Sequence, residues 1–320
     1  MIAPLATARS ADPGLSHFRQ LLWDLLERYQ IHFRGTRSLH LTIDARDRHK
    51  LPALFRGLHQ RGYHPIQAGR RAGGACACRF AWLEGQAAEG AALKMATVHI
   101  AIAGGWFGWG PFGRGGVCLM LLGPDGVGKS TLIDGLQEAL APVFGRQQVF
   151  HWRPGLALPI RDDDDSPAGP HADPPRGALL SVCYLLGFFA DFCLGRALRV
   201  RPLLAQSGLI IFDRYFPDLM VDRQRYRYAG PEWLVRALWK LLERRGDLAL
   251  ILTGAPEAIF RRKQQLPLEE LARQTARYRA LSAVLHNAHV IETADGIAAT
   301  RAAALQAVVE HLSRRFLERL

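Results

Sequence analysis

Residues 118–132 read CLMLLGPDGVGKSTL. A wholly apolar run enters a loop with three glycines, Gly123, Gly126 and Gly128, and leaves it through Lys129, Ser130 and Thr131. The loop satisfies G-x-x-x-x-G-K-[ST], and it sits between an apolar strand and a helix, the context that the pattern requires. Glycines let successive backbone N–H groups converge on phosphate oxygens, and a helix N-terminus adds partial positive charge. Gly123, Asp125, Gly126, Val127, Gly128, Lys129, Ser130 and Thr131 are therefore the expected phosphate cradle. Lys129 is expected to reach the terminal phosphates of ATP, and the Ser130 hydroxyl to ligate Mg²⁺.

Around this loop the chain alternates short apolar runs with amphipathic stretches. QQVFHW (147–152), GLIIFD (208–213), DLALILTG (247–254) and AHVIET (288–293) read as strands. The stretches between them, and the closing stretch 296–318, read as helices. The expected fold is α/β, a P-loop NTPase with a mostly parallel sheet flanked by helices, over residues 115–320. Residues 1–114 are expected to form a small α+β module, with a helix at 15–30, a strand at 38–44, a helix at 49–63 and a strand at 96–103. GGWFGWGPFGRGG (104–116) reads as the linker, and the acidic, proline-rich stretch 161–177 as a surface loop.

Composition sets broader bounds. The chain has 320 residues and a formal net charge of +12. Residues 1–116 hold fifteen Lys and Arg against seven Asp and Glu, so the excess lies towards the N-terminus. Only five of the 41 basic residues are lysine, a bias that suggests genome composition more than a selected basic patch. No aromatic–basic recognition motif accompanies the charge, so no nucleic-acid partner is expected. The five cysteines lack metal-ligand spacing and read as reduced thiols of a cytoplasmic protein. No signal peptide is visible. ALLSVCYLLGFFADFCLG (178–195) is barely long enough to span a bilayer and carries Asp191, so it reads as a buried core helix.

IIFDRYFPD (210–218) supplies the next group. Asp213 ends an apolar strand, where such folds keep the carboxylate that holds Mg²⁺ or its water. Arg214, beside it, suits the phosphate of an acceptor. The glycine loop with Asp at its third position, together with Asp213-Arg214-Tyr215 after a strand, resembles the thymidylate kinase family over about 117–318. The resemblance implies phosphoryl transfer from ATP to a small, phosphate-bearing acceptor, with thymidylate as first candidate. Under it, Arg261, Arg262 and Lys263 match the lid cluster that closes over the transferring phosphate. Arg153 in HWRPG (151–155) takes an acceptor-phosphate role, and Asp125 accepts from the acceptor sugar. Arg214 and Tyr215 complete the acceptor side. Members of that family are commonly dimers, so a homodimer is a further expectation.

The sequence also departs from the family. Phe192 follows Ala190-Asp191 where the family has Arg, and Asp218, Val221, Asp222 and Arg223 replace its thymidylate-gripping residues. Acceptor identity is thereby open. A nucleoside or sugar-like acceptor, or a nucleotide-dependent switch with degraded activity, remains an alternative. The N-terminal module resembles minimal nucleotidyltransferases in LHLTID and RGYHP. Asp44 stands alone on its strand, however, so a silent or unrelated module is expected.

Overall fold

A computed structural model describes residues 12–36, 39–70, 75–85, 91–102, 116–155 and 174–320. The chain divides into two compact units. The first comprises Met1–Gly85, Ala92–Arg114 and Val309–Leu320; the second comprises Gln86–Ala91 and Gly115–Val308. The expected linker 104–116 and the acidic run 161–165 lie outside the described residues, apart from Gly116.

The first unit holds helices α1 (Pro13–Arg28) and α2 (Leu51–His59) and five strands. These are β1 (Phe33–Thr36), β2 (His40–Ile43), β3 (His64–Arg70), β4 (Cys76–Glu84) and β5 (Ala92–Ile102), in sheet order β1-β2-β5-β4-β3. Phe18, Leu22, Leu25 and Leu26 recur at helical spacing on α1 and are buried against the alternating inward residues Cys78, Phe80, Val98 and Ile100. Asp12 caps α1 by accepting from the N–H groups of Gly14 and Leu15. Phe316 joins this core against Phe55, with ring centroids 5.8 Å apart. The closing residues from Val309 thus belong with the first unit, not with the second, where their sequence position put them. Asp44 caps the short 3₁₀ turn Ala45–Lys50 by accepting from Arg46 N–H. Among the described residues no group of three or more His, Cys, Asp and Glu is placed to hold a metal.

The second unit is built on β6 (Val117–Leu122), β7 (Gln147–His151), β8 (Leu209–Asp213), β9 (Asp247–Thr253) and β10 (Ala288–Glu292). All four neighbour pairs are parallel, in the order β10-β9-β6-β8-β7. Every residue of β6 and β9 is buried, as expected of strands covered on both faces. Strand order reverses on either side of β6. That is the switch point outside whose carboxyl end an open α/β sheet places its ligand. Helix α3 (Lys129–Leu140) leaves from this point, and α4 (Ala178–Gly195) continues through a π-helical turn into α5 (Arg201–Ala205). The remaining helices are α6 (Asp218–Val221), α7 (Glu232–Leu242), α8 (Pro256–Arg262), α9 (Leu268–Leu281) and α10 (Gly296–Leu317).

Helix α4 corrects the expectation of a buried core helix. Ser181, Leu185, Phe192 and Gly195 form a buried stripe, while Leu179, Leu180, Tyr184, Leu186 and Leu194 are exposed. The sequence is apolar all round, so periodicity could not say which side packs. The stretch Ala178–Ala205 is long and apolar enough to cross a membrane by length and composition, with 28% of its most apolar window buried.

Leu119 lies at the centre of the second sheet and is fully buried. Leu119→Ala should cost about 2–5 kcal/mol in chemical denaturation. An unchanged midpoint would contradict the central place of β6.

Candidate functional site

The glycine loop runs from the carboxyl end of β6 into α3. Gly128 (φ 105°) is the residue before the helix, and no side chain caps its first turn. The first N–H groups of α3 therefore remain open to an anion. Gly123 has φ 150°, and a Cβ there would meet Leu252 O at 2.6 Å. Gly126 has φ 79°, and a Cβ there would sit 2.9 Å from Lys263 Cβ. Both positions thus require glycine.

A cavity of about 630 Å³ opens over this loop. Its lining includes residues 125–132, Asp213 and Arg214 from the end of β8, and Arg262 and Lys263 from the end of α8. Thr293, Gly296, Ile297, Thr300 and Arg301 form a further wall that the sequence reading did not find. Ile297 is exposed, so this wall offers an apolar surface beside the cradle.

Lys129 is buried, and its ammonium donates to Gly123 O at 2.9 Å and Pro124 O at 3.0 Å. Burial, and then Arg214, lower its pKa from the usual lysine value. Asp213 Oδ2 lies 3.4 Å from His151 Nδ1, which is in register with it on β7. Asp213 Oδ1 is buried without a hydrogen-bond partner. Burial opposes ionisation of Asp213, but His151 and Lys129 outweigh it and lower the pKa. Asp213, with one unpartnered carboxylate oxygen, and Ser130 line the same cavity and together are a hard-oxygen donor set. It suits Mg²⁺ or its water.

Asp125 is the most heavily engaged group. Arg214 Nη2 donates to its Oδ1, Arg225 Nη1 donates to its Oδ2 at 2.7 Å, and Lys129 Nζ lies 3.6 Å away. Burial opposes the charge, yet Lys129, Arg214 and Arg225 together hold the carboxyl far below its usual range. Arg214 adopts φ 68°, and its N–H continues the ladder to Leu121 O at 3.0 Å. A left-handed non-glycine residue costs on the order of 1–3 kcal/mol, and here it turns the guanidinium towards Asp125. Trp152, the residue after β7, is likewise left-handed at φ 59°.

Two buried carboxylates stand behind these arginines. Asp218 lies 3.8 Å from Arg214 and accepts from Tyr278 at 3.0 Å and Tyr226 at 3.3 Å. Asp222 accepts from the Arg225 N–H and from Gln274 Nε2, each at 3.1 Å. Gln274 and Tyr278 are one turn apart on α9, so one helix face anchors both carboxylates.

The cavity brings together Asp125, Gly126, Val127, Gly128, Lys129, Ser130, Thr131, Asp213, Arg214 and Arg262. The other expected residues lie elsewhere. Arg261 is exposed and does not line the cavity, whereas Arg262 and Lys263 do. Arg153 is buried, bonded to Asp191 at 2.7 Å, and 5.3 Å from the centroids of both Trp152 and Phe188. Tyr215 packs in the core against Phe192, Phe212 and Trp239, with burial raising its pKa. It follows a left-handed residue, so its ring points away from the crevice. Arg225, Gln274 and Tyr278 were missed because no motif links them to the glycine loop.

With this geometry in place, comparisons with known proteins can be stated. No family model matches the chain, and no curated protein is similar to it in sequence. Solved structures are similar in shape. The likeness is to thymidylate kinases. The enzyme from Ehrlichia chaffeensis is 19% identical, with 61% of this chain and 97% of that chain covered and a TM-score of 0.43. The enzyme from Candida albicans is 17% identical, with coverage of 61% and 92% and a TM-score of 0.43.

Burial pushes the Asp218 carboxyl up to about 6, against the pull of Arg214 and Lys129. A carboxyl raised in the folded state stabilises the fold below its unfolded pKa and loses that contribution as pH rises through 6. The stability of Asp218→Asn relative to wild type should therefore increase by about 2 kcal/mol between pH 4 and pH 7. Urea denaturation at the two pH values measures this, and a constant difference would refute the raised pKa.

Proposed function

We propose that the second unit is an ATP- and Mg²⁺-dependent kinase that passes a phosphoryl group to a small, phosphate-bearing acceptor. One observation carries the reading. A buried lysine, an uncapped helix start and Asp213, a carboxylate with one unpartnered oxygen, line a single cavity with four further cations, Arg214, Arg262, Lys263 and Arg301. Phosphoryl transfer needs charge placed around the transferring group in a site sheltered from water. The N–H groups of residues 126–131 and the Lys129 ammonium would hold the β- and γ-phosphates. Ser130 and Asp213 would hold Mg²⁺, which neutralises phosphate charge when bound. Arg262 and Lys263, at the rim, would meet the transferring group, and Arg214 would face the acceptor.

Thymidylate is the first candidate acceptor, on the resemblance of the loop and of Asp213-Arg214-Tyr215. Another nucleoside monophosphate, a nucleoside or a sugar-like acceptor is the alternative within the same chemistry. The five cysteines are unpaired, which supports a cytoplasmic location. A nucleotide-dependent switch is a second reading, favoured by the ion-paired state of Arg153, Arg214 and Arg225.

The test is ADP release from Mg²⁺-ATP against thymidylate, the other nucleoside monophosphates, nucleosides and no acceptor. Release should depend on one acceptor class, and Lys129→Ala should lower kcat/KM by at least about 100-fold. Slow ADP release indifferent to every acceptor would favour the switch and remove the kinase.

A further inference from the structure

Asp125 and Lys129 form an arrangement that is awkward for a phosphate site. The carboxylate lies in the loop four residues before the ammonium, both are buried, and they approach to 3.6 Å. A buried carboxylate that paired directly with the ammonium would hold it, and phosphate oxygens would then have to break a buried ion pair. Lys129 instead donates to two neutral carbonyls, those of Gly123 and Pro124. Neutral acceptors exchange for phosphate oxygens far more readily than a carboxylate does.

What keeps Asp125 from closing beyond 3.6 Å to a direct hydrogen bond with the ammonium is a pair of guanidiniums. Arg214 takes Oδ1 and Arg225 takes Oδ2. Arg214 is shared with Asp218 and reaches only one oxygen. The oxygen nearest the ammonium is Oδ1, at 3.6 Å; Arg225 anchors the other oxygen, Oδ2, and so fixes the rotation of the carboxylate, which without it is free to turn towards Lys129. Arg225 does not line the cavity. Its backbone is fixed by Asp222, which Gln274 of α9 holds in turn. We propose that Arg225 is a positioning residue for Lys129. It holds the Asp125 carboxylate away, so that the ammonium is available to a triphosphate. This rests on the reading that the cavity binds a nucleoside triphosphate.

The test is calorimetric titration of the full chain with Mg²⁺ and β,γ-imido-ATP. Arg225→Gln should weaken binding roughly tenfold, the scale of coupling between neighbouring buried charges. Arg225→Lys, which keeps the charge beside Asp125, should recover most of the loss. The double variant Asp125→Asn, Arg225→Gln should recover it too, because the competitor is gone. A purely structural role would lower the denaturation midpoint of Arg225→Gln and leave the affinity of its folded protein at the wild-type value. Wild-type affinity in folded Arg225→Gln would overturn the proposal, as would a double variant as weak as Arg225→Gln alone. Should Arg225→Gln fail to fold, the double variant carries the test, since both members of the buried pair are removed together. A tenfold loss there would overturn the proposal, because it gives Arg225 no contact with nucleotide. Lys129→Ala separates the two claims. Unchanged affinity in that variant would remove the triphosphate reading itself. A loss there, with wild-type affinity in Arg225→Gln, would remove only the role of Arg225.

Discussion

The site depends on keeping one buried carboxylate ionised. Asp125 sits in the middle of the glycine loop with Arg214, Arg225 and Lys129 around it. Two unit charges 4 Å apart near a protein surface interact by about 4 kcal/mol, and three such cations outweigh the desolvation of one carboxylate. Removing the carboxylate would leave buried cations uncompensated, at a cost of about 3–5 kcal/mol. This cluster ties the loop to the end of β8 and, through Asp218 and Asp222, to one face of α9. The left-handed backbone of Arg214 persists because its guanidinium is fixed at the far end.

The parts of this unit that were legible in the sequence are those written in local pattern. The glycine loop spans eight residues, between an apolar run with period suited to a covered strand and a helix that starts at once. The strands at 147, 208, 247 and 288 repeat that grammar, and each is found where the pattern put it. In the first unit β1, β3 and β4 escaped notice. Their residues mix glycine, arginine and histidine with short apolar steps, and pairing rather than propensity makes them strands.

The rest of the site was not legible, for a geometric reason. A strand end fixes where Asp213 points, but the residues after it depend on backbone torsions that no spacing rule records. Arg214 turns left-handed, so Tyr215 enters the core with Phe212 and Trp239 rather than the crevice. Arg225 reaches Asp125 across a separation of 100 residues, and Gln274 reaches Asp222 across 52. Such partners are chosen by the fold, and a single sequence offers no trace of the choice.

Under the proposed kinase reading, the donor and acceptor sides would differ in how ready they are. The donor side would be the backbone N–H groups and an ammonium that donates to neutral carbonyls, so an incoming triphosphate would displace little charge. Arg214, which lines the cavity and would face the acceptor, is already paired with Asp125; Arg225 and Arg153, which do not line it, are paired with Asp125 and Asp191. A neutral hydroxyl could not take a guanidinium from a buried carboxylate, because it would leave two opposite charges unpaired. A phosphate dianion could, since it replaces one anion by another with more charge and more acceptor oxygens. Under the proposed reading Arg214 would turn from Asp125 to the acceptor while Arg225 stays on Asp125, so the exchange would select for the charge of the acceptor before any contact with its remaining groups, and a phosphate-bearing acceptor would fit this site better than a plain alcohol.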